Sequence, residues 1–263
     1  MIKQPSLLYS IFLPEAGQRI AEKIASGCRR SPNPPLVFFR ADDIGIPSER
    51  FAQLIGCFQK HGLPLCLATV PAWLSESRLK ALRIVTGSAS SQWCWHQHGR
   101  VHRNFEKMGK KQEFGQARPP EVISNSLTSG RARLEQLLGD DFLPVFTPPW
   151  NRCSGTTLQA LADLGFQAVS RDIGAQPKTL PTLPDFHVRV DLHTRKELSP
   201  LLSFENLLSE IEEGLASGFC GIMIHHQCMN GRALEFLDLL LEKINTHGKI
   251  THGHFGDLLE ERR

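Results

Sequence analysis

LVFF (36–39) runs straight into Arg40-Ala41-Asp42-Asp43, an apolar run that ends in two carboxylates. Six further runs of the same character follow: PLCLATV (64–70), QWCW (92–95), PVFT (144–147), QAVS (167–170), HVRVDL (187–192) and CGIMI (220–224). They are short and do not alternate strictly, the pattern of strands buried on both faces. Amphipathic helical stretches lie between them. PSERFAQLIGCFQKHG (47–62) starts on Pro47 and Ser48 and stops at Gly62. PEVISNSLTSGRARLEQLLG (120–139) brings Val122, Ile123, Leu127, Leu134, Leu137 and Leu138 near one face. Helices are also expected over 154–165, with Ser154 and Gly165 as caps, over 203–218 and over 232–248. Ser203 and Asn206 are the capping candidates there, and Gly218 and Gly248 the stops.

Seven strands with interposed helices predict one α/β domain over 1–263 with a parallel sheet. A (β/α) barrel, incomplete with seven parallel strands, is the preferred form, and an open doubly wound sheet the alternative. No G-x-G-x-x-G follows the first strand and no G-x-x-x-x-G-K-[ST] occurs, so dinucleotide and P-loop readings are weak.

Composition narrows the function. The chain has 263 residues, 41% hydrophobic and 22% charged, which is globular. Its net charge of +3 is too small to point to nucleic acid. No apolar run approaches the ~20 residues of a membrane span. The N-terminal stretch lacks a clear cleavage site, so a cytoplasmic location is expected. Seven cysteines at 28, 57, 66, 94, 153, 220 and 228 contain no C-x-x-C pair and read as reduced, buried thiols.

The polar clusters fall where an α/β barrel keeps its chemistry, at the C-terminal ends of strands. Asp42 and Asp43 would face opposite ways in an extended strand, so both reach one site only if the chain turns there; Gly45 and Pro47 make that plausible. An Asx-type turn is the plainer reading. QWCW leads into His96-Gln97-His98-Gly99-Arg100-Val101-His102. On a helical turn, His98 and His102 share a face. His96 with His98 on a strand is the alternative, and Gly99 favours the former. Two imidazoles and a carboxylate suit Zn²⁺, with Co²⁺, Fe²⁺, Mn²⁺ or Ni²⁺ as options, and leave room for water as catalytic sites do. GIMIHH ends in His225 and His226, which would face opposite ways; the one aimed at the site could give a proton, and the other would pack. Trp150, after Pro148-Pro149, could stack on a sugar ring or simply cap the barrel.

In this order the endings resemble the polysaccharide deacetylase family (NodB-homology, carbohydrate esterase family four), most closely a divergent bacterial branch. FRADD (39–43), HGRVH (98–102), FTPPWN (146–151) and Met223-Ile224-His225 stand where that family has its motifs, over roughly residues 36–230. The resemblance implies an incomplete barrel and a divalent metal on Asp43, His98 and His102. It makes Asp42 the general base and His225 the general acid, with Arg40, Pro149, Trp150, Asn151 and His226 toward substrate. Thr147 stands where the third motif usually carries an Arg, with Arg40 or Arg171 as substitutes. No Asp-Trp motif is present, and VSRDIG (169–174) and VRVDLHTR (188–195) are the only regions that could replace it.

The implied activity is metal-dependent removal of an N-acetyl group from an amino sugar or glycan. An amidase acting on a non-sugar C–N bond and a catalytically silent carbohydrate-binding relative are the alternatives. The stretch 103–120 is long and basic, so it reads either as a lid for an anionic sugar or as a solvated loop.

Overall fold

A computed structural model describes residues 4–13, 15–87 and 90–262. Strands β1 (Leu36–Ile44), β2 (Leu65–Thr69), β3 (Trp93–His98), β4 (Phe142–Thr147), β5 (Ala168–Val169), β6 (Val190–Asp191), β7 (Phe219–Ile224) and β8 (Thr251–His252) alternate with helices except between β5 and β6. These are α1 (Ala16–Arg30), α2 (Glu49–His61), α3 (Glu76–Thr86), α4 (Pro120–Leu138), α5 (Gly155–Asp163), α6 (Pro200–Ala216), α7 (Gly231–Asn245) and α8 (Phe255–Glu260). The strand order is β5-β4-β3-β2-β1-β7-β6, with β8 beside β1. The ladders β1–β7, β1–β8, β3–β4, β4–β5 and β6–β7 are all parallel. This is the incomplete (β/α) barrel with seven strands in its main path, and the open doubly wound alternative falls.

The chain packs as two compact units. One holds the chain up to Ala41, Pro47–Leu65 and Arg189–His254; the other holds Asp42–Ile46, Cys66–Val188 and Phe255 onward. In the first, β1 and β7 pair from Leu36↔Phe219 to Ala41↔Ile224. Val37, Phe38, Ile222 and Ile224 are fully buried there. In the second, Phe114, Ile123, Leu127, Phe146, Leu158 and Leu161 form a core under β4 and β5.

The expected helices form, with shifted ends. Ser48 caps α2 by accepting the Phe51 N–H, and Gly62 ends it with φ 63°. Ser154 caps α5 in the same way. Helix α6 starts earlier than expected, capped by Ser199 and with Pro200 in its first turn. Ser203 and Asn206 bond Glu197 instead of capping. Asn230 caps α7, whose C-cap is Thr246, so Gly248 lies beyond its end. Strand β6 keeps only two of six expected residues, although Arg189 and Leu192 on either side still donate N–H groups to β7 carbonyls.

Helices α1, α3 and α8 and strand β8 were not anticipated. Helix α1 buries Ile20, Ile24, Gly27 and Cys28, one stripe at helical spacing. It lies against α6 so closely that a Cβ on Gly27 would stand 2.7 Å from the Glu212 carbonyl oxygen and 2.8 Å from Leu215 Cβ. Gly27→Ala should therefore lower unfolding stability by about 1–3 kcal/mol, despite alanine's better helix propensity. Chemical denaturation measures this directly, and a stabilised variant would mean that α1 does not seat so tightly.

Candidate metal centre

Strand β1 continues past its apolar start through both carboxylates. Asp42 and Asp43 are 3% and 1% exposed. Asp43 adopts φ 64°, a left-handed conformation that aspartate tolerates better than most residues. That single backbone departure supplies the bend which strict strand alternation withholds.

Strand β3 delivers His98 at its last residue. The chain then turns through Gly99 at φ 61° and reaches His102 at φ 55°. His102 thus arrives through a loop, not on the expected helical turn. Glu113, fully buried, accepts the backbone N–H groups of Arg100 (3.1 Å) and Val101 (2.8 Å) on Oε1 and of His102 (2.9 Å) on Oε2.

The imidazoles meet at Asp43. Its Oδ1 lies 2.9 Å from His102 Nε2 and 3.4 Å from His98 Nε2. The three donor atoms fall within 4.8 Å of one another. His98 Nδ1 is 2.9 Å from the Thr147 carbonyl oxygen, which can only accept, so Nδ1 carries a proton and Nε2 faces Asp43, where the neutral ring would offer a metal its lone pair. Ligand atoms ~2 Å from a tetrahedral ion stand about 3.3 Å apart, close to the spacings here. Donor set, tautomer and spacing all fit a divalent metal. Burial opposes a charged imidazole at His98. The Asp43 hydrogen bond, the Asp42 and Asp43 charges and the Thr147 carbonyl outweigh it and push its pKa up, so the place favours positive charge. His96 is engaged elsewhere, 2.9 Å from Thr147 Oγ1 and edge-on to Phe255, and is not one of the converging donors.

Two indoles flank His102: the Trp150 ring centroid is 4.8 Å away and the Trp73 ring 5.4 Å. Trp150 and Asn151 have φ 58° and 59°, and Pro149 and Asn151 are buried. Among the described residues, four of the five non-glycine residues with positive φ are Asp43, His102, Trp150 and Asn151. Concentration of such costly backbone in one place is a mark of functional sites. Trp73 and Glu113 were missed as site residues. An indole four residues past the end of β2 was a usable signal for the first; nothing local marks the second.

The remaining candidates lie in the other unit. Arg40 is fully buried on β1, its Nη2 3.2 Å from Met223 Sδ. His226 is buried edge-on to Phe51, the packing role foreseen for one of the pair. His225 is partly exposed, and its N–H donates to His193 Nδ1 at 3.3 Å. Asp191, in one of the two regions considered for the Asp-Trp motif, accepts from the N–H groups of His193 and Thr194, as in an Asx turn. In the unit that holds Asp43, His98 and His102, Arg171 is tied to Asp185 (2.8 Å) and the Pro177 carbonyl. Within the stretch 103–118, much of it exposed, Asn104, Glu106 and Arg118 bond its own backbone.

No protein-family model matches the sequence, and no curated protein matches it. Solved structures do. A protein described as a polysaccharide deacetylase from Mycobacterium smegmatis superposes with a TM-score of 0.67 at 14% identity, over 88% of this chain and 91% of that one. A family 4 acetyl xylan esterase from Clostridium thermocellum, solved with a cobalt ion, gives 0.55 at 14% identity over 86% and 91%. A carbohydrate esterase family 4 pseudoenzyme from Bacillus anthracis gives 0.56 at 14% identity over 88% and 67%. The chain has the fold of the family 4 carbohydrate esterases and deacetylases. No helix of the described residues is long and apolar enough to cross a membrane.

His193 supplies a test of the β7 end. Burial first, then the charges of His225 and His226, push its pKa down from 6.5 to about 3. It stays neutral when folded but takes a proton when unfolded, so stability should fall as pH drops from its unfolded value toward the folded one. Wild type should lose up to about 1.4 kcal/mol per pH unit more than His193→Gln across this window. Denaturant melts at a series of pH values measure it; identical pH slopes would refute a buried, neutral His193.

Proposed function

We propose that the chain is a metal-dependent hydrolase that removes an N-acetyl group from an amino sugar or glycan. The observation that carries this is the buried convergence of Asp43, His98 and His102 beside a second buried carboxylate, Asp42. The fold shared with deacetylases and an acetyl xylan esterase supports it. Zn²⁺ is the proposed ion, with Co²⁺, Fe²⁺, Mn²⁺ and Ni²⁺ as substitutes on chemical grounds; the cobalt in the Clostridium thermocellum relative supports that range.

Held by these three side chains, a divalent ion would supply Lewis-acid polarisation of the acyl oxygen and acidify water toward a pKa of ~7. Asp42 takes the proton from the attacking water, a role that suits an ionised carboxylate kept out of bulk solvent. His225 returns a proton to the departing amine nitrogen, which leaves poorly as an anion. The role of His225 rests on its place at the end of β7 and on the family resemblance. Pro149, Trp150 and Asn151 form the proposed wall against the sugar, with Trp150 offering a stacking face; Arg40 and His226 are weaker candidates for substrate contact, since both are buried. The proposed setting is reducing and cytoplasmic, in keeping with seven buried cysteine thiols.

A catalytically silent relative is the second reading. Thr147, buried and bonded to both His96 and His98, replaces the motif's arginine, and the Bacillus anthracis pseudoenzyme has the same fold. Acetate release from N-acetylated amino sugars separates the two. Asp42→Asn should keep bound metal and lose turnover by about 10²–10⁴-fold, the usual worth of a general base. His98→Ala should lose both. Full activity in Asp42→Asn would remove the role assigned to it.

A further inference from the structure

The proposed metal site depends on a loop that does not hold itself. Between His98 and His102 the chain passes through Gly99 at φ 61° and ends with His102 at φ 55°, a conformation costing a non-glycine residue about 1–2 kcal/mol. The turn points three consecutive N–H groups, those of Arg100, Val101 and His102, to one side. Such a concave run of amides is an anion-binding nest. Here the anion is internal, the carboxylate of Glu113, fully buried and aimed into it. The fit is close: a Cβ on Gly99 would lie 2.4 Å from Glu113 Oε2 and 2.6 Å from Pro149 Cγ.

Glu113 is itself firmly seated. Phe114, its neighbour, is fully buried in the core of this unit. The Phe114 carbonyl accepts both the Ser154 N–H and the Thr157 hydroxyl, each at 2.8 Å. The Glu113 carbonyl accepts from Arg118 Nη1 at 3.2 Å, and the Arg118 guanidinium lies over the Phe105 ring. The carboxylate thus connects the core beneath α5 to the loop that carries one imidazole.

We propose that Glu113 is a positioning residue for the metal centre, an internal anion that locks the 99–102 loop so that His102 reaches Asp43 before any metal arrives. It touches neither substrate nor ion. It acts through the backbone of His102, and the proposal rests on the reading of Asp43, His98 and His102 as metal ligands. Charge-assisted bonds to three amides offset the backbone cost at His102. Without them, the metal would have to order the loop as it binds, at the expense of affinity.

Glu113→Gln tests this, because its NH₂ group would face an N–H where an oxygen now accepts. Two readouts are needed. Calorimetric titration with Co²⁺ should show about 10–100-fold weaker binding in Glu113→Gln, as for other groups that orient ligands. Glu106→Gln, on the same stretch but bonded only to Ala117 and Asn104 of the loop itself, should bind Co²⁺ like wild type. Amide hydrogen exchange on metal-free protein should show Arg100, Val101 and His102 protected in wild type and released in Glu113→Gln. Unchanged Co²⁺ affinity in a folded Glu113→Gln protein overturns the proposal. So does free exchange of the three amides in folded wild type, a result that needs no variant to fold. If wild type binds no Co²⁺, the metal reading fails by itself, and the amide data still decide whether Glu113 clamps the loop.

Discussion

A carboxylate removed from water demands a positive partner, and Asp43, 1% exposed, meets two imidazoles through a single oxygen. Asp42 and Glu113 are buried in the same unit, and both affect His98 electrostatically or are affected by it. Against the pull of burial, the Asp43 hydrogen bond and the Asp42 and Asp43 charges favour positive charge at His98. A divalent ion there would supply that charge and let the histidines stay neutral, the form in which they ligate. Burial pushes the Glu113 pKa up, and the three amides it accepts pull against that push.

The backbone around the site is costly in the same way. Asp43, His102, Trp150 and Asn151 all sit at positive φ, on three separate stretches of chain. Each departure re-aims a side chain: one carboxylate, one imidazole, one indole and one amide. Each lies at or soon after a strand end: β1, β3 and β4 set where the three stretches begin. The tautomer-setting carbonyl of Thr147 at the end of β4 reaches His98 because β3 and β4 end side by side.

The fold was legible because burial on both faces writes itself as apolar runs, and the helix stops at Gly62 and Gly165 carry their own signals. Helix α1 escaped notice because only four buried positions mark it, one of them a glycine that serves close approach to α6. Asp43, His98 and His102, the three side chains that converge, could be picked out from residue type and order. Their local geometry could not: the four-residue spacing suggested a helical turn, whereas a glycine loop held by Glu113 brings His102 round. Glu113 is eleven residues downstream, and no spacing rule connects an acid to amides at that distance.

Metal stoichiometry tests the central claim most directly. Wild type and Asp43→Ala, each loaded with Zn²⁺, freed of excess ion and measured by elemental analysis, should differ by one tightly held ion per chain. Equal metal content in the two, or none in wild type, would contradict an ion held jointly by Asp43, His98 and His102.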